Sequence, residues 1–411
     1  MRVRSKLFVA FSLLIGVLGA GTRAQGPAEG QVPLPSPTPV PAVAALASRL
    51  ELGRYKTTIK ELTQFGDRRQ GTGRNRRAVD WIESQLRSYG CPTERLRYTY
   101  AATPAGATAG ATPRPAEPAV PRAVGGGRPR GVRTQTGVNT DPSKQPNEAL
   151  RALNAEPATD GQREEVYCTK VGAVHPNEMF IVSAHMDGHG WGEAANDDGS
   201  GTALVMELAR IFSMPDVRTD RTIRFALWNN EETGLNGAGA YVAQRKALQG
   251  REDPPGSGRF PEPVWLGMIQ HDMMLFDHGM PRADGTMAPE QRPEADVNIE
   301  FQMTAKQVSG AQALAWYLHA ANEKYASDYP SQVGPHMTNT DSTPFMDDVA
   351  AVSVRENERG VHVGSGWDPQ WHQPTDVFAT YSDKDFRLGL NAAQTTLGAV
   401  GELAGATIVA R

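Results

Sequence analysis

An α/β fold, a three-layer sandwich with a central mainly parallel sheet flanked by helices, is what this 411-residue sequence predicts. Three observations predict it. Short apolar runs alternate along the chain with segments of helical periodicity, the pattern of strands and helices taken in turn. The runs are apolar throughout, as expected of strands covered on both faces. His, Asp and Glu residues follow directly after several of these runs, where open α/β sheets bind their ligands.

The elements follow in order. Residues 1–24 read as a secretory signal peptide: Arg2, Arg4 and Lys6 precede an apolar run over 7–18, and Thr22-Arg23-Ala24 places small residues for cleavage after Ala24. The run is shorter than the roughly 20 residues of a membrane span, so the mature chain is expected to have no transmembrane domain. An uncleaved N-terminal anchor is the competing reading. Cleavage would remove four basic residues and take the formal charge from −4 to −8. Residues 25–42 (containing VPLPSPTPVP) read as a Pro-rich tether, and 43–411 as the folded domain. Residues 78–88 read as an amphipathic helix stopped by Gly90. A low-complexity insertion of Ala, Pro, Gly, Thr and Arg occupies about 101–150, densest over 101–133, with 134–160 as its less certain continuation. Its composition favours a segment hanging in solvent over a cover on the cleft. Strands are expected at 179–184, 222–228, 264–269 and 349–354, and helices at 201–212, 241–248, 311–325 and 385–403.

Composition narrows the function. With 39% apolar residues, 42 Gly and 30 Pro the chain is globular and loop-rich, and long enough to bury an ample core. Two cysteines exclude a disulfide-rich scaffold and a Cys-based zinc site. Export would permit a Cys91–Cys168 disulfide. A charge of −4 without a block of like charges argues against a nucleic-acid partner.

The polar residues that follow the apolar runs carry the functional signal. His185 and Asp187 follow the run at 179–184, Glu231 and Glu232 the run at 222–228, and Asp272 the run at 264–269. Asp197 and Asp198 lie in a tight turn before a helix, and His372 far downstream in Trp371-His372-Gln373-Pro374-Thr375-Asp376. Imidazole and carboxylate without thiolate suit zinc, cobalt or manganese and hydrolytic chemistry. Two His and at least four carboxylates exceed the needs of one catalytic zinc, and two metals sharing a carboxylate would use them fully. Glu231 and Glu232 read two ways. They are a solvated loop pair, or a sheltered pair of which one binds metal and the other handles a proton.

These segments resemble the M28 family of zinc exopeptidases. Ser183-Ala184-His185-Met186-Asp187, Ala195 through Gly201 (ANDDGSG), Trp228 through Leu235 (WNNEETGL) and the Asp272 and His372 segments match in order and separation. The resemblance covers about 43–100 and 165–400. It implies that His185 and Asp272 hold one zinc ion, Glu232 and His372 a second, and that Asp197 bridges them. It also implies that the Asp187 carboxylate orients the His185 imidazole. Glu231 would be the general base, taking a proton from the attacking water and passing it to the departing amine. The implied protein is a secreted or periplasmic exopeptidase acting on peptides, an aminopeptidase first. A carboxypeptidase of acidic dipeptides, a glutaminyl cyclase and an inactive binding domain on the same scaffold are the alternatives. One departure stands out: where the family has Ser-Asp-His-x-Pro-Phe, this chain has Thr340-Asp341-Ser342-Thr343-Pro344-Phe345, with Ser342 in place of the histidine.

Other residues read more plainly. His189 has no ligand position left to fill and is expected to be a loop or pocket-lining residue. His271 points away from its neighbour Asp272 and is expected to be packed. His175, His278, His319, His336 and His362 default to surface or core. Trp191, Trp367 and Trp371 are either an apolar wall or core residues. Asp376 is either a partner of His372 or a turn aspartate, and Arg355 is a candidate for gripping a substrate's terminal carboxylate, as the carboxypeptidase alternative would require.

Overall fold

The computed structural model describes residues 32–101, 138–276, 297–335, 340–356 and 368–409. The signal peptide, the densest part of the insertion, and His278, His336, His362 and Trp367 lie outside them. Helices α1 (Pro41–Ala47), α2 (Leu52–Thr63) and α3 (Gly73–Ser88) lead into strand β1 (Thr93–Tyr100). Helix α4 (Glu148–Asn154) precedes β2 (Gly161–Lys170) and β3 (His175–His185), and α5 (Gly199–Phe212) follows. The two-residue β4 (Val217–Arg218), β5 (Arg221–Trp228), α6 (Asn236–Arg245) and β6 (Val264–His271) come next. The chain continues through β7 (Val297–Phe301), α7 (Val308–Tyr325), β8 (Ser331–Gly334), β9 (Ala351–Arg355), α8 (Asp383–Leu403) and β10 (Thr407–Ile408).

Eight strands form one sheet in the order β1-β2-β5-β3-β6-β9-β7-β8, and β10 pairs with β4 in a separate ladder. The centre, β5-β3-β6-β9, is wholly parallel, whereas β1, β2 and β7 join antiparallel. Alternation along the strands fills both faces. Phe180, Val182, Ile223, Phe225, Leu227 and Ile269 enter one core with α5 and α8. Met179, Ile181, Ala226, Trp228 and Met268 enter the other, with Tyr241 of α6 and with Trp265 and Phe345. Two covered faces make the three layers that the apolar runs predict.

Helix α5 is the most enclosed. All its residues but Arg210 are buried, so it is apolar on nearly every side, as a helix wrapped by others must be. Its N-cap is Asp198, whose Oδ1 accepts from the Gly201 N–H at 2.9 Å. Helix α3 stops as expected: Ser88 is its last residue and Gly90 takes φ +78°, which costs glycine little. Cys91 and Cys168 form a disulfide that ties the start of β1 to β2 across 77 residues. Closing a loop that long contributes about 4 kcal/mol in the chain-entropy account.

Two boundaries differ from the sequence reading. Residues 138–160, read as part or continuation of the insertion, belong to the folded chain and carry α4. Asn147 caps that helix by accepting from Ala149 N and Leu150 N, and Leu150 and Asn154 are buried. The last part of the Pro-rich stretch also docks: Val40 N donates to Tyr325 Oη at 2.8 Å, and Pro41 opens α1, where its missing N–H costs nothing.

His271 is packed, as expected. It is fully buried, with Nδ1 against Ser183 O at 3.0 Å and Nε2 against Thr396 Oγ1 at 2.8 Å. Burial pushes its pKa from the ordinary 6.5 down to about 4, although the Ser183 carbonyl works the other way. The neutral ring is the folded form, and below pH 6.5 the unfolded chain binds the extra proton. Its contribution is therefore complete above pH 6.5 and lost as the pH falls toward 4, by about 3 kcal/mol in all. Denaturant titrations from pH 7 to 4 should show this loss in the wild type and a flatter profile in His271→Gln.

Candidate metal centre

Each parallel strand of the sheet centre ends at one place. β3 ends on His185, β6 runs into Asp272, β5 is followed by Asn229-Asn230-Glu231-Glu232, and β9 ends on Arg355. The turn before α5 supplies Asp197, and the loop before α8 supplies His372. Convergence of these ends follows from parallel pairing in register: His185 lies opposite Trp228, and Ala184 opposite His271.

Asp197 sits at the middle. Its Oδ1 is 3.3 Å from His185 Nε2, and its Oδ2 is 3.0 Å from His372 Nε2. Asp272 Oδ1 lies 3.8 Å from His185 Nε2. Glu232 Oε2 lies 2.9 Å from His372 Nε2 and 3.0 Å from His189 Nε2. Two groups emerge, His185 with Asp197 and Asp272, and His189 with Glu232 and His372, each offering atoms within 4.8 Å of one another. All five proposed ligands thus meet. His189 meets them too, against the sequence expectation that no position remained for it. The only sign in the sequence was its place between two glycines on the loop after β3.

The residues fit metal ions. Asp197 Oδ2, Glu232 Oε1 and His189 Nε2 are buried and make no hydrogen bond among the described residues. Burial alone would lower His372, but Glu232 and Asp197 push its pKa up to about 10. Burial would lower His185 as well, yet Glu231 and Asp198 lead a set of acids that holds it well above 6.5. Carboxylates that drag imidazoles upward this far lack counter-charge, and a divalent cation at each group would supply it. Burial raises the Glu231 carboxyl well above the usual range, with Asp341 and Glu232 adding to the effect against His185.

The scaffold around these side chains is built from residues to which sequence reasoning gave no role of their own. Arg68 is fully buried and donates to Met186 O, Glu193 O and Ala194 O at 2.8, 2.8 and 2.7 Å, fixing the loop after β3. Asp198 Oδ2 accepts from His185 N at 3.2 Å and Oδ1 from Met273 N at 3.2 Å, so one carboxylate sets the ends of β3 and β6. Asn196 Oδ1 accepts from Met274 N and Leu275 N at 2.8 and 2.9 Å.

Three placements differ in detail from the sequence reading. The contact to His185 Nδ1 comes from the Asp187 main-chain carbonyl at 3.0 Å. The Asp187 carboxylate is 3.9 Å away and instead accepts from Glu231 N at 3.0 Å, because the chain turns after His185 and no longer keeps strand geometry. Asp376 is neither a partner of His372 nor a simple turn residue. It accepts from Asn196 N at 2.8 Å and Asp197 N at 3.1 Å, and burial pushes its pKa up to about 7. Arg355 is 1% exposed and its Nη2 pairs with Asp272 Oδ2 at 2.8 Å, so it is committed to a proposed ligand.

His372 itself is held from several sides. It takes φ +57°, its ring stacks on Trp371 at 3.9 Å, and its carbonyl accepts from Asn139 N at 3.0 Å. Gly190, with φ +96°, passes so close that any Cβ there would collide with the His372 backbone. Gln145 Nε2 donates to Trp191 O and Pro374 O at 2.7 and 2.9 Å, joining the two loops.

The fold and the centre define a class of protein. It is an α/β sandwich whose parallel strands deliver two histidine–carboxylate groups joined through one aspartate. Residues 166–393 match the model of peptidase family M28, more than half of the chain, and the chain belongs to that family. Among relatives, it is 37% identical over 76 residues to carboxypeptidase Q of Xenopus laevis, covering 18% of this chain and 16% of that one. It is 41% identical over 68 residues to aminopeptidase YwaD of Bacillus subtilis, covering 16% and 14%. The matched stretches thus span about a sixth of those relatives. In structure it is similar to an aminopeptidase from Aneurinibacillus sp. strain AM-1, with a TM-score of 0.57 at 19% identity over 88% of this chain and 96% of the other.

Gln145→Ala removes the two hydrogen bonds that join the Trp191 and Pro374 loops, a loss of about 1–2 kcal/mol. Thermal unfolding should show that small loss, and zinc should leave the variant faster than the wild type when a chelator is added.

Proposed function

We propose that this chain is an exported zinc-dependent exopeptidase, an aminopeptidase, that hydrolyses N-terminal residues from peptides. The observation that carries this is the split of the Asp197 carboxylate, one oxygen toward each histidine-containing group, with Glu231 beside both. His185 and Asp272 would hold one zinc, Glu232 and His372 the other, and Asp197 both. Zinc there supplies Lewis acidity that lowers the pKa of water and polarises a carbonyl.

The chain's own residues do the rest. The Glu231 carboxylate takes a proton from water as its oxygen bonds to the peptide carbonyl carbon. It returns that proton to the amine nitrogen as the C–N bond breaks, and the carboxylate is regenerated. Glu231 interacts with His185, Glu232 and Asp272 of both groups, which places its carboxylate where that proton is taken and returned. The Asp187 carboxylate, accepting from Glu231 N, fixes the main chain from which the base projects. Export is supported by the N-terminal sequence and by the Cys91–Cys168 bridge, which suits an oxidising compartment.

The carboxypeptidase alternative is favoured by carboxypeptidase Q of several vertebrates, Xenopus laevis and Mus musculus among them. It would need a cation free to meet a terminal carboxylate, and the residue suggested for that task, Arg355, is buried against Asp272. Peptides with free and acetylated N-termini separate the readings. The proposal expects cleavage of the free form alone, with release of the first residue. Release of the last residue from acetylated peptides would favour the alternative. Glu231→Gln should lower kcat by about 10²–10⁴-fold while elemental analysis finds the zinc content of the wild type.

A further inference from the structure

We propose that the two ions are held unequally. His189 adds a further protein donor on the Glu232–His372 side, while Arg355 and Thr340 withdraw one oxygen of Asp272 from the other side. This rests on the two-zinc reading above.

His189 Nε2 and His372 Nε2 approach the same oxygen, Glu232 Oε2, at 3.0 and 2.9 Å, and the two rings meet edge to face with centroids 4.1 Å apart. Two imidazole nitrogens aimed at one carboxylate oxygen converge where a cation bound by that oxygen would sit. His189 Nε2 is buried, and His189 forms one histidine–carboxylate group with Glu232 and His372. Its placement is built into the backbone. At Gly188 a Cβ would come within 2.8 Å of Asp197 O, and at Gly190 it would collide with His372, so a larger residue at either would drive the loop off the site. With Asp197 Oδ2, this side offers two imidazoles and two carboxylates.

The other side is poorer. Asp272 Oδ2 forms an ion pair with Arg355 Nη2 at 2.8 Å and accepts from the Thr340 hydroxyl at 2.7 Å, which leaves Oδ1 facing His185. Arg355 is itself fixed, its Nε donating to Ser353 Oγ at 3.1 Å. A buried guanidinium beside a ligand carboxylate weakens that carboxylate's hold on a cation by direct repulsion.

Calorimetric titration of the metal-free full chain with zinc chloride tests this. The wild type should bind two ions in resolved steps whose Kd values differ by at least about tenfold, the scale on which contacts around a metal tune its affinity. His189→Ala should weaken the tighter step by about tenfold or more and leave the other unchanged. Arg355→Met should tighten the weaker step, whereas Arg355→Lys, which keeps the charge, should not. Two equal steps in the wild type, or a tighter step unmoved by His189→Ala, would overturn the proposal while the two-zinc reading stood. A stoichiometry of one in the wild type would overturn both.

Discussion

A buried aspartate placed between two histidines governs this structure. Asp197 is 4% exposed, and its two oxygens face His185 and His372. Such a group is tolerated inside a protein only when counter-charge is provided. His185 lies before one oxygen and His372 before the other, and further acids stand behind both. Much of the surrounding architecture can be read as the means of keeping that arrangement in place.

The means are mostly main-chain contacts made by buried polar side chains. Asp376 receives the amides of Asn196 and Asp197, Asp198 receives those of His185 and Met273, and Arg68 collects three carbonyls of the loop after β3. Each element end is therefore tied to another element end instead of to solvent. The cost of burying these groups is met by their pairing, and the result is a set of side chains held in fixed positions around Asp197.

The centre of the sheet was legible because β3, β5, β6 and β9 are buried on both faces and write themselves as apolar runs. His185, Glu232 and Asp272 were legible because they follow those runs closely, whereas Asp197 and His372 were assigned through the family resemblance. The edges were not. β1 fully buries Leu96 alone, and Arg95 and Arg97 along it pair with Glu83, Asp80 and Glu164, so its sequence TERLRYTY has no apolar run to find. The 138–160 segment was hidden by the low-complexity stretch before it, although Asn147 caps its helix and Gln145 fastens it to the Trp191 and Pro374 loops. His189 was passed over because a ligand count that was already full left it no task. The role of Asp187 came from the family resemblance, and spacing along a strand says nothing about the turn that follows His185.

The central claim is that Asp197 joins two ions, and metal content measures it most directly. Purified protein should hold close to two zinc per chain by elemental analysis, and Asp197→Ala should lose most of it while keeping the far-ultraviolet circular dichroism of the wild type. About one zinc per chain in the wild type, little changed by the substitution, would contradict the account.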